Sequence, residues 1–117
     1  MVTWARDVGR GDVLLHRGAD ERVGCRWVQD KRDGEGFQPV DLRDWTAVFS
    51  MTVPDGTSVY SRSCSTTSDG YAVAEIPASA FEADAWSARP VGDWRIDATG
   101  PGGRRELLGW GHWTLDQ

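Results

Sequence analysis

Between Trp45 and Val53 the chain reads Trp-Thr-Ala-Val-Phe-Ser-Met-Thr-Val. In an extended chain, successive side chains point to opposite faces. Trp45, Ala47, Phe49, Met51 and Val53 then share one face, and Thr46, Val48, Ser50 and Thr52 share the other. A helix would scatter the five apolar residues around its circumference, so this segment is a strand with one face buried and the other mostly polar. Pro39-Val-Asp-Leu42 and Arg43-Asp44 read as its entry turn, and Pro54-Asp-Gly56 supplies turn chemistry at its end. A second β-like run starts at Thr57, which makes the pair a hairpin with a short loop.

The rest of the chain fits around that strand. Residues 1–10 read as a lead-in with Trp4 as an anchor, and Val13 to His16 as a first strand between Gly11-Asp12 and Gly18-Ala-Asp20. From Arg22 to Val28, Val23, Cys25 and Trp27 alternate with Arg22, Gly24 and Arg26, giving a second strand. Gln29 to Gln38 is polar and glycine-containing, and reads as a loop. Thr57 to Cys64 sets Val59 and Tyr60 among Ser and Thr, as suits a strand near a sheet edge. Ser65 to Gly70 is a turn leading into a strand from Tyr71 to Ile76, which Pro77 stops.

Ala78 to Trp86 is the one helix-compatible stretch, with Ser79 as its cap and Glu82 as capping-box partner. Trp94, Ile96 and Ala98 then alternate with Arg95, Asp97 and Thr99, and Gly100-Pro-Gly-Gly103 is a turn. Arg104 to Leu108 and Trp110 to Leu115 form a last strand or pair, broken or bulged near Gly109 and Gly111. Seven or eight short strands without a βαβ rhythm, in 117 residues, imply an all-β single domain. The expected architecture is one antiparallel β-sandwich, Ig-like or jelly-roll-like, with one short helical connector.

Charge and cysteine usage narrow the function. The net charge is −5, Lys31 is the only lysine, and no basic cluster exceeds Arg104-Arg105, which argues against nucleic-acid binding through phosphate neutralisation. No apolar run reaches the length of a membrane-spanning helix, and Met1 to Gly11 lacks the apolar core of a signal peptide. Synthesis in a cytoplasm without a signal, and no membrane partner, are therefore expected. Under those conditions Cys25 and Cys64 are expected as buried free thiols and not as a disulfide.

Residues marked for chemistry are few. His16 and His112 lie far apart in sequence, and no H-x-H, H-E-x-x-H or C-x-x-C spacing points to a metal or cofactor. There is no G-x-S-x-G elbow and no distinguished carboxylate pair, so no catalytic residue is assigned and no enzyme is expected. A cleft joining His16 or His112 to a carboxylate would be the minimum sign to the contrary. Arg10-Gly11-Asp12 spells an integrin-type tripeptide, but its position just before the first apolar run makes it a turn. Cys25, Trp45 and Cys64 follow the Cys–Trp–Cys layout of immunoglobulin domains. The residue two places after Tyr71 is Val73, however, so the disulfide-bonded pattern of that fold is absent.

Seven tryptophans are the unusual feature of the composition. Most are core candidates, but Trp86, Trp110 and Trp113 sit in or beside loop or glycine-rich segments. If exposed, they would anchor a protein interface or stack on sugar rings; if buried, they pack the core. Two or three coplanar exposed tryptophans on one sheet face would mark a carbohydrate- or receptor-binding module.

The signals also occur in a telling order. Arg10-Gly-Asp12 precedes the first strand, and Pro39-Val-Asp-Leu42 leads to Trp45-Thr-Ala47. Asp69-Gly70 opens a strand ending Ile76-Pro-Ala78, and Gly92-Asp-Trp-Arg-Ile-Asp97 precedes the glycine-rich turn. Glu106-Leu-Leu-Gly-Trp-Gly111 and Trp113-Thr-Leu115 close the series. From Arg10 to Leu115 this resembles the small β-sandwich domains of virion structural proteins of tailed phages and prophages of actinobacteria. The chain departs from that pattern at Arg43-Asp44, where Thr-Gly is usual, and in its longer polar segment before the central strand. The resemblance implies a non-enzymatic tail, fibre, baseplate or capsid-associated subunit that assembles with itself or with other virion subunits. It leaves room for a cell-surface glycan as a ligand.

Overall fold

The computed structural model describes residues 3–5, 8–30 and 36–117, so Lys31 and the side chain of Trp4 fall outside the described residues. Twelve strands are found among them: β1 (Thr3–Ala5), β2 (Val8–Arg10), β3 (Val13–His16), β4 (Glu21–Arg26), β5 (Val28–Asp30), β6 (Phe37–Pro39), β7 (Thr46–Thr52), β8 (Ser58–Ser63), β9 (Ser65–Thr66), β10 (Tyr71–Ile76), β11 (Val91–Thr99) and β12 (Arg105–Asp116). The alternating segment is β7, with Ala47, Phe49 and Met51 buried and Thr46 and Val48 exposed. Trp45 lies just ahead of the strand and is half-buried. The Pro54-Asp-Gly56 turn closes through Val53 N–H to the Thr57 carbonyl at 3.0 Å, with Gly56 at φ 90°.

β7 sits second from the edge of a large sheet ordered β1-β2-β12-β11-β7-β8, with β3 also paired to β12. A second sheet is ordered β4-β10-β9, and β5 and β6 form a separate hairpin. The two main sheets enclose one core that includes Trp27, Phe49, Phe81, Trp86, Trp94, Ile96, Leu108 and Trp113. The order β12-β11-β7-β8 opposite β4-β10-β9 is the G-F-C-C′ over B-E-D arrangement of an Ig-like sandwich. All-β sandwich architecture is thus the observed fold, with one feature added. β12 pairs in parallel with both β2 and β3, which border the otherwise antiparallel sheet.

Two G-x-W tripeptides lock β11 to β12. Gly92-Asp93-Trp94 and Gly111-His112-Trp113 pair antiparallel, so Gly92 faces Trp113, Asp93 faces His112, and Trp94 faces Gly111. Each indole lies across the glycine of the facing strand and donates beyond it. Trp113 Nε1 reaches the Thr52 carbonyl at 3.1 Å, and Trp94 Nε1 reaches the Gly11 carbonyl at 2.9 Å. A Cβ at Gly92 would strike the Thr52 carbonyl and the Trp113 ring, and one at Gly111 would strike the Gly11 carbonyl. Glycine is needed there for space, because a buried indole N–H without an acceptor costs about 1–3 kcal/mol.

β12 is one strand and not two. Ile96 pairs with Gly109 and Asp97 with Leu107, so Leu108 is the extra residue of a bulge. The bulge lets Leu108 and Gly109, neighbours in sequence, both face inward. A second register shift, where Met51 pairs with Tyr60 and Thr52 with Ser58, leaves both Val59 and Tyr60 half-buried.

Other expectations are corrected. The helical connector is two 3-10 turns, Ala78–Phe81 and Asp84–Ala88. Pro77, not Ser79, caps the first turn, no side chain closes a capping box with Glu82, and Ala83 returns to extended backbone between the turns. Tertiary bonds replace helical ones: the Arg17 guanidinium donates to the carbonyls of Phe81 (2.7 Å), Glu82 (3.1 Å) and Ala83 (3.1 Å). The Gln29–Gln38 segment is not all loop, since its ends form the β5–β6 hairpin. Arg10-Gly11-Asp12 is not a tight turn. It is the break between β2 and β3, where Gly11 N–H donates to the Trp110 carbonyl and Asp12 Oδ1 accepts from His112 N–H at 3.1 Å.

Candidate functional site

The three tryptophans singled out as contact residues part company in the structure. Trp113 is 0% exposed and Trp86 is 4% exposed. Trp86 packs edge-to-face on Phe81 at 4.6 Å and on Trp113 at 6.3 Å, and the Arg89 guanidinium covers it at 4.8 Å. Both are core residues: the 3-10 connector folds Trp86 inward, and the parity of β12 does the same for Trp113. Trp110, one residue from Gly111, has the opposite parity and is 40% exposed.

Trp110 lies on the outer face of the large sheet. Register assigns the rows of that face. Leu14, Thr114 and Val91 form one row, and Asp12, His112, Asp93, Thr52 and Ser58 lie about the next. Arg10, Trp110, Arg95, Ser50 and Ser61 form a third. Leu107, Asp97, Val48 and Ser63 form a fourth. Four of the exposed large hydrophobic residues, Leu14, Val48, Val91 and Trp110, are therefore on one face. The Arg10 guanidinium stands 5.2 Å over the Trp110 ring, and Arg95 pairs with Asp97 at 2.6 Å. Among the described residues, a single exposed tryptophan already covered by an arginine does not make the multi-tryptophan sugar platform.

The outer face of the smaller sheet is matched in the same way. Tyr71 is covered by the Arg26 guanidinium at 4.9 Å, and Arg22 pairs with Glu75 at 3.5 Å, so its charges and its aromatic residue are matched locally.

Each histidine meets a carboxylate. His112 Nδ1 lies 2.5 Å from Asp93 Oδ1, and His16 Nδ1 lies 2.9 Å from Glu21 Oε1. Sequence gave no signal for either pair, because strand register creates the first and a turn the second. His112 and Asp93 border a shallow, open depression with Pro54, Val91 and Thr114. Among the described residues each histidine ring nitrogen that is hydrogen-bonded meets a carboxylate, Glu21 for His16 and Asp93 for His112. No group of three or more His, Cys, Asp or Glu side chains could hold a metal ion among the described residues.

Cys25 and Cys64 are free thiols. Burial, with a smaller contribution from Cys64, pushes the Cys25 thiol up to about 12, and burial pushes Cys64 up to about 11. Both are poor nucleophiles at neutral pH. At the surface, the Arg43 guanidinium bonds the Asp41 carboxylate and holds it down at about 2, which fixes the entry turn of β7. No helix among the described residues is long and apolar enough to cross a membrane.

The sequence matches no protein-family model and no curated protein sequence. Among solved structures, the fold is similar to the N-terminal domain of phage TP901-1 ORF48, with TM-score 0.55 and 14% identity over 92% of this chain and 86% of that one. The Ig-like domain of mouse leukocyte-associated immunoglobulin-like receptor 1, in a strand-swapped dimer, aligns with TM-score 0.48 and 12% identity over 91% and 88% of the two chains.

Proposed function

We propose that this chain is a non-enzymatic structural subunit of a tailed-phage or prophage particle, working through protein–protein interfaces. The observation that carries the reading is the likeness of nearly the whole chain to a phage protein domain, at a TM-score of 0.55. The ordered motifs from Arg10 to Leu115 agree with it. The surface chemistry is compatible: solvent-facing tryptophan, leucine and valine sit on one broad sheet face, and Cys25 is buried while Cys64 is half-buried. Such a subunit is made in the bacterial cytoplasm and ends in the virion, as tail, fibre, baseplate or capsid-associated protein, with other virion subunits as partners.

The test is immunogold electron microscopy of particles from induced cultures, with antibody raised to the recombinant protein. Gold on a fixed part of the particle establishes the reading and names the component. Particles that stay unlabelled beside abundant cytoplasmic protein overturn it.

A further inference from the structure

The segment joining β10 to β11, residues 77–90, is fastened to the sandwich differently from the strands. The N–H groups of Ala80, Trp86 and Arg89 donate only to the carbonyls of Pro77, Ala83 and Trp86, three residues back. Its polar ties to the rest of the chain come from two places. The turn after β3 supplies Asp20, whose Oδ1 accepts from Ala78 N–H at 2.7 Å, and Arg17, whose guanidinium donates to the Phe81, Glu82 and Ala83 carbonyls. The end of β12 supplies Leu115 N–H to the Pro90 carbonyl at 2.8 Å and Gln117 Nε2 to the Trp86 carbonyl at 3.1 Å. Arg17 joins the two anchors. Its Nη1 donates to Gln117 Oε1 at 3.1 Å, and its backbone N–H donates to the Asp116 carbonyl at 2.9 Å.

We propose that residues 77–90 are a strap that opens as one unit while both sheets stay paired, and that Arg17 is its latch. Each 3-10 turn is short and has poor hydrogen-bond geometry, so neither persists without outside support. Phe81 and Glu82 close the first turn, and Ala83 is the extended residue ahead of the second. One guanidinium bonds all three carbonyls, so losing it frees both turns together. The latch lets go without unpairing a strand, because β3 remains on β12 from Val13 to His16.

Opening brings out the buried Phe81 and Trp86. It also uncovers the rings they pack on, Tyr60 in β8 at 5.7 Å and Trp113 in β12 at 6.3 Å. Burial of two aromatic side chains opposes the motion and keeps the open form a minor state. Bonds from a charged donor are stronger than neutral ones, so the latch sets how minor that state is. The central strands have no such freedom. β11 is hydrogen-bonded to β12 and β7, and β7 to β11 and β8. The strap thus gives a sandwich of continuous ladders a way to present aromatic surface from its interior. This motion belongs to the fold and does not depend on the virion reading.

The test is native-state hydrogen exchange by NMR on the full chain in sub-denaturing urea. The amides of Ala80, Trp86 and Arg89 should share one urea dependence, shallower than that of Phe49 and Trp94 in the central strands but above zero. Arg17→Ala should speed exchange at all five amides by the same factor, on the order of tenfold or more, because its bonds are lost in the opened and in the unfolded chain alike. Ile96→Val, in the middle of β11, should speed Phe49 and Trp94 several-fold and leave the connector unchanged. A connector with the steep dependence of the strands, or one that follows Ile96→Val, opens only by global unfolding and overturns the strap. Three amides without urea dependence report fraying of separate turns and overturn it too. Strand amides that accelerate in Arg17→Ala while the connector's do not would show the bonds surviving the opening, and no acceleration at all would show them idle. Either result removes the latch. If Arg17→Ala does not fold, Arg17→Lys takes its place, since an ammonium cannot fork across three carbonyls.

Discussion

Trp113 and Trp27 are equally buried, at 0% and 1% exposure, but their indole N–H groups are treated differently. Trp113 belongs to an aromatic chain running through Trp86, Phe81, Tyr60, Phe49 and Trp94, with neighbouring ring centroids 4.6–6.5 Å apart. Within it, both G-x-W indoles donate to backbone carbonyls one strand beyond their partner. Trp27 instead meets Trp45 edge-on at 5.3 Å, with the Arg104 guanidinium 5.7 Å from its ring, and its Nε1 finds no acceptor among the described residues. The first cluster is held by directional bonds that glycines make room for. The second is held by shape and a covering cation, so it should adapt where the first breaks.

Replacing glycines tests this most severely. Gly92→Ala drives a methyl group into the Thr52 carbonyl and the Trp113 ring, and neither can retreat inside a paired sheet. We expect a loss of about 3–5 kcal/mol in urea unfolding, or failure to fold. Gly100→Ala places its methyl 2.7 Å from the Trp45 ring, which is half-buried and can shift, so about 1–2 kcal/mol is expected. Equal losses would erase the distinction.

Tryptophan-to-phenylalanine exchange separates the hydrogen bond from the ring. Trp113→Phe strands the Thr52 carbonyl as well as shrinking the ring, whereas Trp27→Phe deletes a donor that has no acceptor among the described residues. Trp113→Phe should therefore cost about 1–2 kcal/mol more than Trp27→Phe, measured by the same denaturation.

Cys25 bears on the first cluster through alkaline pH. A Cβ at Gly109 would lie 3.1 Å from Cys25 Cβ and 3.2 Å from the Trp94 ring, so this thiol packs beside the G-x-W pair. Folding raises the thiols from 9.0 to about 12 for Cys25 and about 11 for Cys64. The folded state favours the protonated thiol, so this contribution is complete below pH 9 and is lost as pH climbs through 11 and 12. Thermal melts should show the midpoint falling above pH 9, and Cys25→Ala should flatten that fall. A pH-independent midpoint in that window would contradict the tight packing.

Arg104→Ala should have the smallest effect. It uncovers the Trp27–Trp45 pair and breaks the 2.7 Å ion pair to Glu106. A loss of about 0.5–1 kcal/mol and a red shift in tryptophan emission are expected. A larger loss would mean that the cation is the main support of this end and not a cover.

The strands were legible wherever alternation was strong. The β7 face, the Val23–Cys25–Trp27 face and the Trp94–Ile96–Ala98 face all point inward as the pattern requires. The connector was misjudged because alanine content and a Ser79–Glu82 spacing speak only of local preference. The nine residues from Ala78 to Trp86 have too few turns to nucleate a helix, and Arg17 captures carbonyls among them. Of the three tryptophans singled out, only Trp110 is exposed, and Trp86 and Trp113 are in the core. Loop or glycine surroundings suggested exposure for Trp86 and Trp113, but glycine served here to admit an indole. The repeated G-x-W spacing was the overlooked signal.

Sequence alone determined the all-β class, the inward faces and most turns, because period-2 alternation and turn residues act over a few neighbours. Tertiary structure decided which strands pair, and so joined Asp93 to His112, carried Trp94 across Gly111 to Gly11, and set the acidic row beside the basic one. Register follows from the whole core closing at once. A one-residue slip would turn every side chain of a strand to the other face, and no local stretch of sequence contains that information.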